Sequence, residues 1–338
     1  MRLTERWKTR IALPTLAAVV LAAGLFLGLS HLGHSPTGTP RAKVSASPSA
    51  PASSTATATP TTPQSSAPHV LMIMEENQGY NASQTNCGSS NSYFCQLASE
   101  YASVVPWYGA THPSLPNYLA VTSGSTQGCL SDGCSGPYAV DNLGNQLTQA
   151  NIPWTAYMES MPRPCYSGAS AGEYAQKHDP FVYYADLVDS AACADHVLPY
   201  PGVSGLLSAL DGSSPPDFVW VTPNLIDDMH DGTVADGNAW LAANLGPVLS
   251  SSWFTESNST VIVTEDENDA QSSGVCCGDA AGGQIPELVI SRHAQGKGIV
   301  SLTGDQYGTL RTIEQAFGLP LLGAAANSIN GDLTPLFG

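Results

Sequence analysis

The stretch HVLMIMEEN, residues 69–77, decides how the chain folds. Its five apolar residues, VLMIM, run without a polar interruption over the length of one strand. A strand that faced water on one side would alternate; a continuous run suits burial on both faces, as in a parallel sheet covered by helices. The run stops abruptly at Glu75, Glu76 and Asn77. The same layout recurs in IPWTAYME at 152–159, DFVWVTP at 217–223, STVIVTE at 259–265 and PELVISR at 286–292. Segments of helical spacing lie between these runs: NLGNQLTQAN at 142–151, DGNAWLAANLGPVL at 236–249 and GTLRTIEQAFG at 308–318. Strand and helix alternating along a chain imply an α/β sandwich around a mostly parallel sheet. No internal repeat is visible.

Each strand-like run ends in a burst of polar groups: MEEN at 74–77, MES at 158–160, TPNLIDDMHDG at 222–232 and TEDEND at 264–269. In open α/β sheets, sites form beyond the carboxyl ends of the strands. Residues far apart in sequence are therefore expected on one rim.

Composition bounds the rest. Residues 1–30 pair a basic start, with Arg2, Arg6, Lys8 and Arg10, with an almost uncharged run from 11 to 29, the pattern of a signal peptide or an N-terminal membrane anchor. Residues 31–68 are rich in Ser, Thr, Pro and Ala and read as a disordered stalk, because they can bury almost no apolar area. The folded part is expected over 69–338. The formal charge is −17, and residues 1–69 hold six Lys or Arg against Glu5 alone, or +5, which leaves −17 − 5 = −22 for the remainder. Only Arg163, Lys177, Arg292, Lys297 and Arg311 oppose that charge. Such a chain repels nucleic acid and anionic membranes, so contact with a membrane is expected only through the N-terminal segment. The eight cysteines suggest pairs Cys87/Cys95, Cys129/Cys134 and Cys165/Cys193 in an oxidising compartment, with Cys276 and Cys277 joined to each other or paired elsewhere. A zinc site is disfavoured, since no Cys-x-x-Cys stands near a suitable His or Cys cluster.

Several groups could carry chemistry. Glu76 and Asn77 offer hard oxygen donors, and TEDEND places Asp266 and Glu267 at the end of another buried strand. Carboxylates packed so closely repel unless a cation sits among them or they face water. An oxygen-rich set favours Ca²⁺, Mg²⁺, Mn²⁺ or iron over zinc, without choosing among them. His230 stands between Asp228 and Asp231, either of which could orient it. Lys177 and His178, in QKHDPFVYY, matter because cations are scarce. In THPSLPNYLAVTSG, residues 111–124, Ser114 reads as the N-cap of a helix. That position would place a hydroxyl where free N–H groups attract an anion and a metal can activate the oxygen. His112 can reach the same place, though its spacing assigns it no step.

Taken in order, MEEN, HPSLPNYLAVTSG, KHDPFVYY, NLIDDMHDG and TEDEND followed by GGQIPELVIS resemble the bacterial and fungal acid phosphatases and phospholipase C-like phosphoesterases of the alkaline phosphatase superfamily. The resemblance covers about residues 69–318. It implies an alkaline phosphatase-like three-layer sandwich and an extracytoplasmic, metal-dependent phosphoesterase. It implies Ser114 as nucleophile and His230 as the phosphate-contacting or leaving-group histidine, and Asp231, beside His230, is taken as catalytic with it. Asn117, Lys177, His178 and His112 would bind substrate, and Glu76, Asn77, Asp266 and Glu267 would hold one metal ion. Lys177 departs from the His-His pair that phospholipase-like members tend to carry. The large insertions and extra C-terminal domains of the phospholipase C type are missing, which favours an acid phosphatase acting on small phosphate monoesters; a monomer is expected, with an oligomer left open. The alternatives are a phospholipase C-type phosphodiesterase and a non-enzymatic surface module. A sulfatase is disfavoured because no Cys/Ser-x-Pro-x-Arg motif occurs.

Overall fold

Residues 69–75 form the central strand of a nine-stranded sheet in the computed structural model, which describes residues 68–80, 92–268, 275–278, 280–294 and 296–337. The apolar run at 11–29, the expected stalk at 31–68 but for Pro68, and Cys87 of the expected Cys87/Cys95 pair lie outside the described residues.

The strands are β1 (His69–Glu75), β2 (Ala102–Tyr108), β3 (Trp154–Met158), β4 (Val197–Pro199), β5 (Phe218–Thr222), β6 (Ser259–Glu265), β7 (Gln284–Ile285), β8 (Glu287–Ser291) and β9 (Gly298–Asp305). Their order is β4-β3-β5-β1-β6-β8-β2-β7, and β9 pairs with β2. The five strands from β4 to β6 are parallel, with β1 between β5 and β6. The register aligns Ile73 with Val221 and Glu75 with Glu265. β8 runs antiparallel to both β6 and β2, so one of the five apolar runs enters the sheet reversed. The strands absent from the sequence expectation are β2, β4, β7 and β9. Their signals are weak for physical reasons: β2 carries Pro106, β4 and β7 are very short, and β9 alternates between partly buried and exposed residues.

The continuous apolar run of β1 is buried on both sides, as its composition predicts. Val70, Met72 and Met74 enter one core while Leu71 and Ile73 enter another. The first core is closed by helices α2 (Ser114–Ser123), α3 (Leu143–Gln149) and α6 (Gln306–Ala316). The second is closed by α1 (Tyr93–Glu100), α4 (Gly202–Leu210) and α5 (Val234–Leu249). Helices on both faces of a mostly parallel sheet make the three-layer sandwich. Cys129–Cys134, Cys165–Cys193 and the adjacent pair Cys276–Cys277 are disulfides. Among the described residues no helix is long and apolar enough to cross a membrane.

Candidate active site

The strand periodicity of two sorts the acidic residues at the carboxyl rim. Glu75 and Glu265 follow the alternation toward the second core, whereas the next residues, Glu76 and Asp266, turn toward α2. Asn77 comes next with a left-handed backbone, φ 63°, a conformation asparagine tolerates better than most residues. That turn lets the Asn77 N–H donate to Asp266 Oδ1 at 3.0 Å, while its side-chain amide lies 3.4 Å from Glu76 Oε2. The Gln306 amide, at the start of α6, braces this corner. It donates to the carbonyls of Glu265 and Asp266 at 3.2 and 2.6 Å and accepts from the Ala110 N–H at 2.9 Å.

Ser114 begins α2 and is buried, and its Oγ donates to Glu76 Oε2 at 3.0 Å. The expected capping role is corrected here. The N-cap is Pro113, which has no side-chain hydrogen bond, and the acceptor at the helix start is Asp132 Oδ1, 3.0 Å from the Leu115 N–H. The serine hydroxyl is committed to Glu76, so a carboxylate from another loop takes the helix N–H. The anion site at this helix start is narrower than expected, because Leu115 gives its N–H to Asp132 and Pro116 has none.

Lys177 comes from a short 3₁₀ turn, Gln176–His178, packed against α2. Its ammonium donates to Asp132 Oδ2 at 2.9 Å and to His230 Nε2 at 3.0 Å, and stands 3.5 Å from Ser114 Oγ. Burial alone would lower its pKa, but the Asp132 hydrogen bond and the carboxylates of Glu76 and Asp266 hold it raised. Since an ammonium only donates, His230 Nε2 accepts, and Nδ1 is left to donate to Asp231 Oδ1 at 2.8 Å.

His178 is buried, stacked on Tyr118 with ring centroids 5.4 Å apart, and sits 3.1 Å from Asp228 Oδ2 through Nδ1. Its Nε2 lies 3.1 Å from Glu76 Oε1, yet neither atom has a hydrogen-bond partner. Burial, followed by the charges of Lys177 and His230, pushes the His178 pKa well below the usual histidine value. Burial also drives Glu76 well above the carboxylate range, reinforced by Asp266 and Asp228. The same desolvation lifts Asp266 to about 7 and Asp228 to about 8.

His112 and Asn117 meet Glu267. His112 Nδ1 lies 2.9 Å from Glu267 Oε2, and that bond raises the His112 pKa. The Asn117 amide donates to the same oxygen at 3.2 Å and closes the chain back on Thr111 and Pro113. Every residue singled out in the sequence therefore lies on this rim. Glu267 is engaged with His112 and Asn117, and Asp231 touches the site only through His230. The residues that sequence reasoning passed over are Asp132 and Gln306. Asp132 lies 45 positions before Lys177, so only the fold pairs them; its faint signal is an acid enclosed by two nearby cysteines.

Three buried atoms test whether a cation fits: Glu76 Oε1, Asp266 Oδ2 and His178 Nε2 all lack a partner. Burial disfavours the charge on both carboxyls, and a divalent ion at these atoms would stabilise the carboxylate form and engage the imidazole nitrogen. Glu76, His178 and His230 each offer one donor atom, all within 4.8 Å of one another.

The buried serine facing carboxylates at the strand ends sits in a three-layer α/β sandwich, a fold shared with a solved structure of the alkaline phosphatase superfamily. A superfamily member from Vibrio parahaemolyticus matches over 80% of this chain and 70% of that one, with a TM-score of 0.53 and 14% identity. Murine ectonucleotide pyrophosphatase/phosphodiesterase 5 matches over 78% and 100%, with a TM-score of 0.52 and 10% identity. At such identities the likeness concerns the fold alone. Residues 78–320 match the sequence model of the phosphoesterase family. The chain belongs to the phosphoesterase family and is a hydrolase of phosphoric esters. A Mycobacterium tuberculosis phosphatidylinositol-3-phosphatase is 32% identical over 77% of this chain and 80% of its own. An acid phosphatase of Aspergillus fumigatus is 26% identical, and a phosphate-repressible acid phosphatase of Penicillium chrysogenum 28%. The chain spans about half the length of these two fungal relatives, 51% and 55%.

Proposed function

We propose that this protein hydrolyses phosphate monoesters through a phosphoserine intermediate at Ser114. The observation that carries the reading is the placement of Ser114 Oγ, 3.0 Å from Glu76 Oε2 and 3.5 Å from the Lys177 ammonium. Oγ passes its proton to the Glu76 carboxylate it already faces and forms the new bond to phosphorus as the ester P–O bond breaks. Lys177 holds a non-bridging oxygen and offsets the charge that develops there. Once phosphate draws Lys177 away from His230, the imidazole Nε2 takes up a proton from solvent and passes it to the leaving oxygen, with Asp231 fixing the ring at Nδ1. Water then cleaves the phosphoserine. Asn117 shapes the backbone entering α2, and His112 and Glu267 line the same side.

One metal ion completes the reading. Glu76, Asn77, Asp266 and Glu267 would be its oxygen donors, and His178 Nε2 faces Glu76 with a nitrogen donor. When bound, the ion lowers the pKa of the serine hydroxyl and neutralises the phosphoryl group. The partly imidazole environment widens the candidate ions beyond Ca²⁺, Mg²⁺, Mn²⁺ and iron, since nitrogen donors also suit zinc. The acid phosphatase relatives favour small monoesters, and the mycobacterial relative adds a phosphorylated inositol headgroup to the substrates worth assaying. The disulfides fit an extracytoplasmic location.

Ser114→Ala tests the centre of the proposal. Turnover of p-nitrophenyl phosphate is expected to fall by roughly 10³-fold or more, the scale on which loss of a nucleophile acts. Acid-quenched wild-type protein should carry phosphate on Ser114 by mass spectrometry. Near-normal turnover in the alanine variant would remove the serine from the mechanism.

A further inference from the structure

Asp132 occupies a loop of unusual construction. The disulfide Cys129–Cys134 closes it over a sequence separation of 5, which leaves the enclosed segment little freedom. From this loop one carboxylate performs two tasks. Oδ1 accepts from the Leu115 N–H at 3.0 Å, fixing the start of α2 beside Ser114, and Oδ2 accepts from Lys177 at 2.9 Å. Among the described residues Lys177 is the lysine that reaches the serine, at 3.5 Å, and a lysine side chain free to rotate would lose much of its value as an anion ligand.

We infer that Asp132 is a positioning residue, which uses its disulfide-closed loop to hold the Lys177 ammonium over Ser114 for an incoming phosphoryl group. The inference rests on the phosphoryl-binding reading of this site. It also explains why an acidic side chain stands beside a site for anions. Through space Asp132 repels phosphate, but by orienting Lys177 it strengthens binding.

Those two effects have opposite signs, which makes the idea testable. Binding of inorganic phosphate to the full chain is measured by calorimetry for the parent, Asp132→Asn, Lys177→Met and the double variant. The Asp132→Asn change keeps an oxygen for the Leu115 N–H while removing the charge that holds Lys177, so the fold is expected to stand. Asp132→Asn should weaken phosphate binding by about tenfold, and the double variant should bind within about twofold of Lys177→Met alone, the non-additivity expected of groups acting through each other. Asp132→Glu, which keeps the charge, should recover part of the loss. Unchanged or tighter binding in Asp132→Asn, additive losses in the double variant, or no phosphate binding by the parent would each overturn the inference. Ser114→Ala is assayed for turnover alongside. Retained activity there would sink the serine mechanism while leaving the phosphate-binding result to decide on Asp132.

Discussion

Glu76 shows how much one side chain can be asked to do. It is fully buried at the end of a parallel strand, accepts the Ser114 hydroxyl through one oxygen and faces His178 with the other. In isolation that burial would favour the neutral acid, and a neutral Glu76 would be a poor partner for a nucleophile. Asp266 shares the predicament, with one oxygen held by the Asn77 N–H and the other orphaned. The proposed cation between them would resolve both. Glu76→Gln and Asp266→Asn are each expected to reduce metal content in the purified protein, measured by elemental analysis. The loss in affinity should exceed about 10–100-fold, the range seen when only an outer-shell partner is removed. Full metal occupancy in either variant would remove that residue from the ligand set.

The element that matters most is α2, buried along its whole length and packed beside the 3₁₀ turn that carries Lys177. Its end is as constrained as its start. Gly124 terminates it in the left-handed conformation, φ 68°, and a Cβ there would lie 2.1 Å from the carbonyl oxygen of Leu322. Both the backbone conformation and the contact require glycine. Gly124→Ala is expected to lower stability by about 1–3 kcal/mol, read from the denaturant midpoint at unchanged m-value. A midpoint equal to that of the parent would show that the helix end and the 322–324 segment can part without cost.

At the scale of the whole molecule, burial of acids sets the pH response. Glu287 is buried in β8, accepts from the Thr309 hydroxyl at 3.0 Å and leaves its second oxygen unpartnered, and burial lifts its pKa to about 8. Glu314 in α6 is also lifted to about 8, chiefly by burial. The folded protein therefore keeps these protons up to pH about 8, whereas the unfolded chain releases them at the ordinary carboxyl value, 4.5. Between those limits the folded state binds more protons, so stability falls as pH rises through the window and is recovered toward pH about 5. The melting temperature should drop between pH 5 and pH 8. Glu287→Gln should flatten that slope, removing a pH-dependent contribution on the order of a few kcal/mol. An unchanged slope in the variant would mean that Glu287 titrates normally in the fold.

The run at 69–75 and its counterparts determined the layered α/β architecture, because strands buried on both faces must be apolar throughout. Polar bursts after those runs located the rim, and the order of the short motifs indicated the phosphoesterase family. Edge strands such as β9 escaped notice, since partial burial imposes little pattern. Only the tertiary structure decided which atoms meet. Ser114 gave up its apparent capping role because its hydroxyl faces Glu76, and Asp132 took the helix N–H from a separate disulfide-closed loop. The pairing of Asp132 with Lys177, and of His178 with Glu76, depends on loops brought together by sheet order. Local sequence records what each segment prefers, but not which distant carboxylate it will find at hydrogen-bond distance.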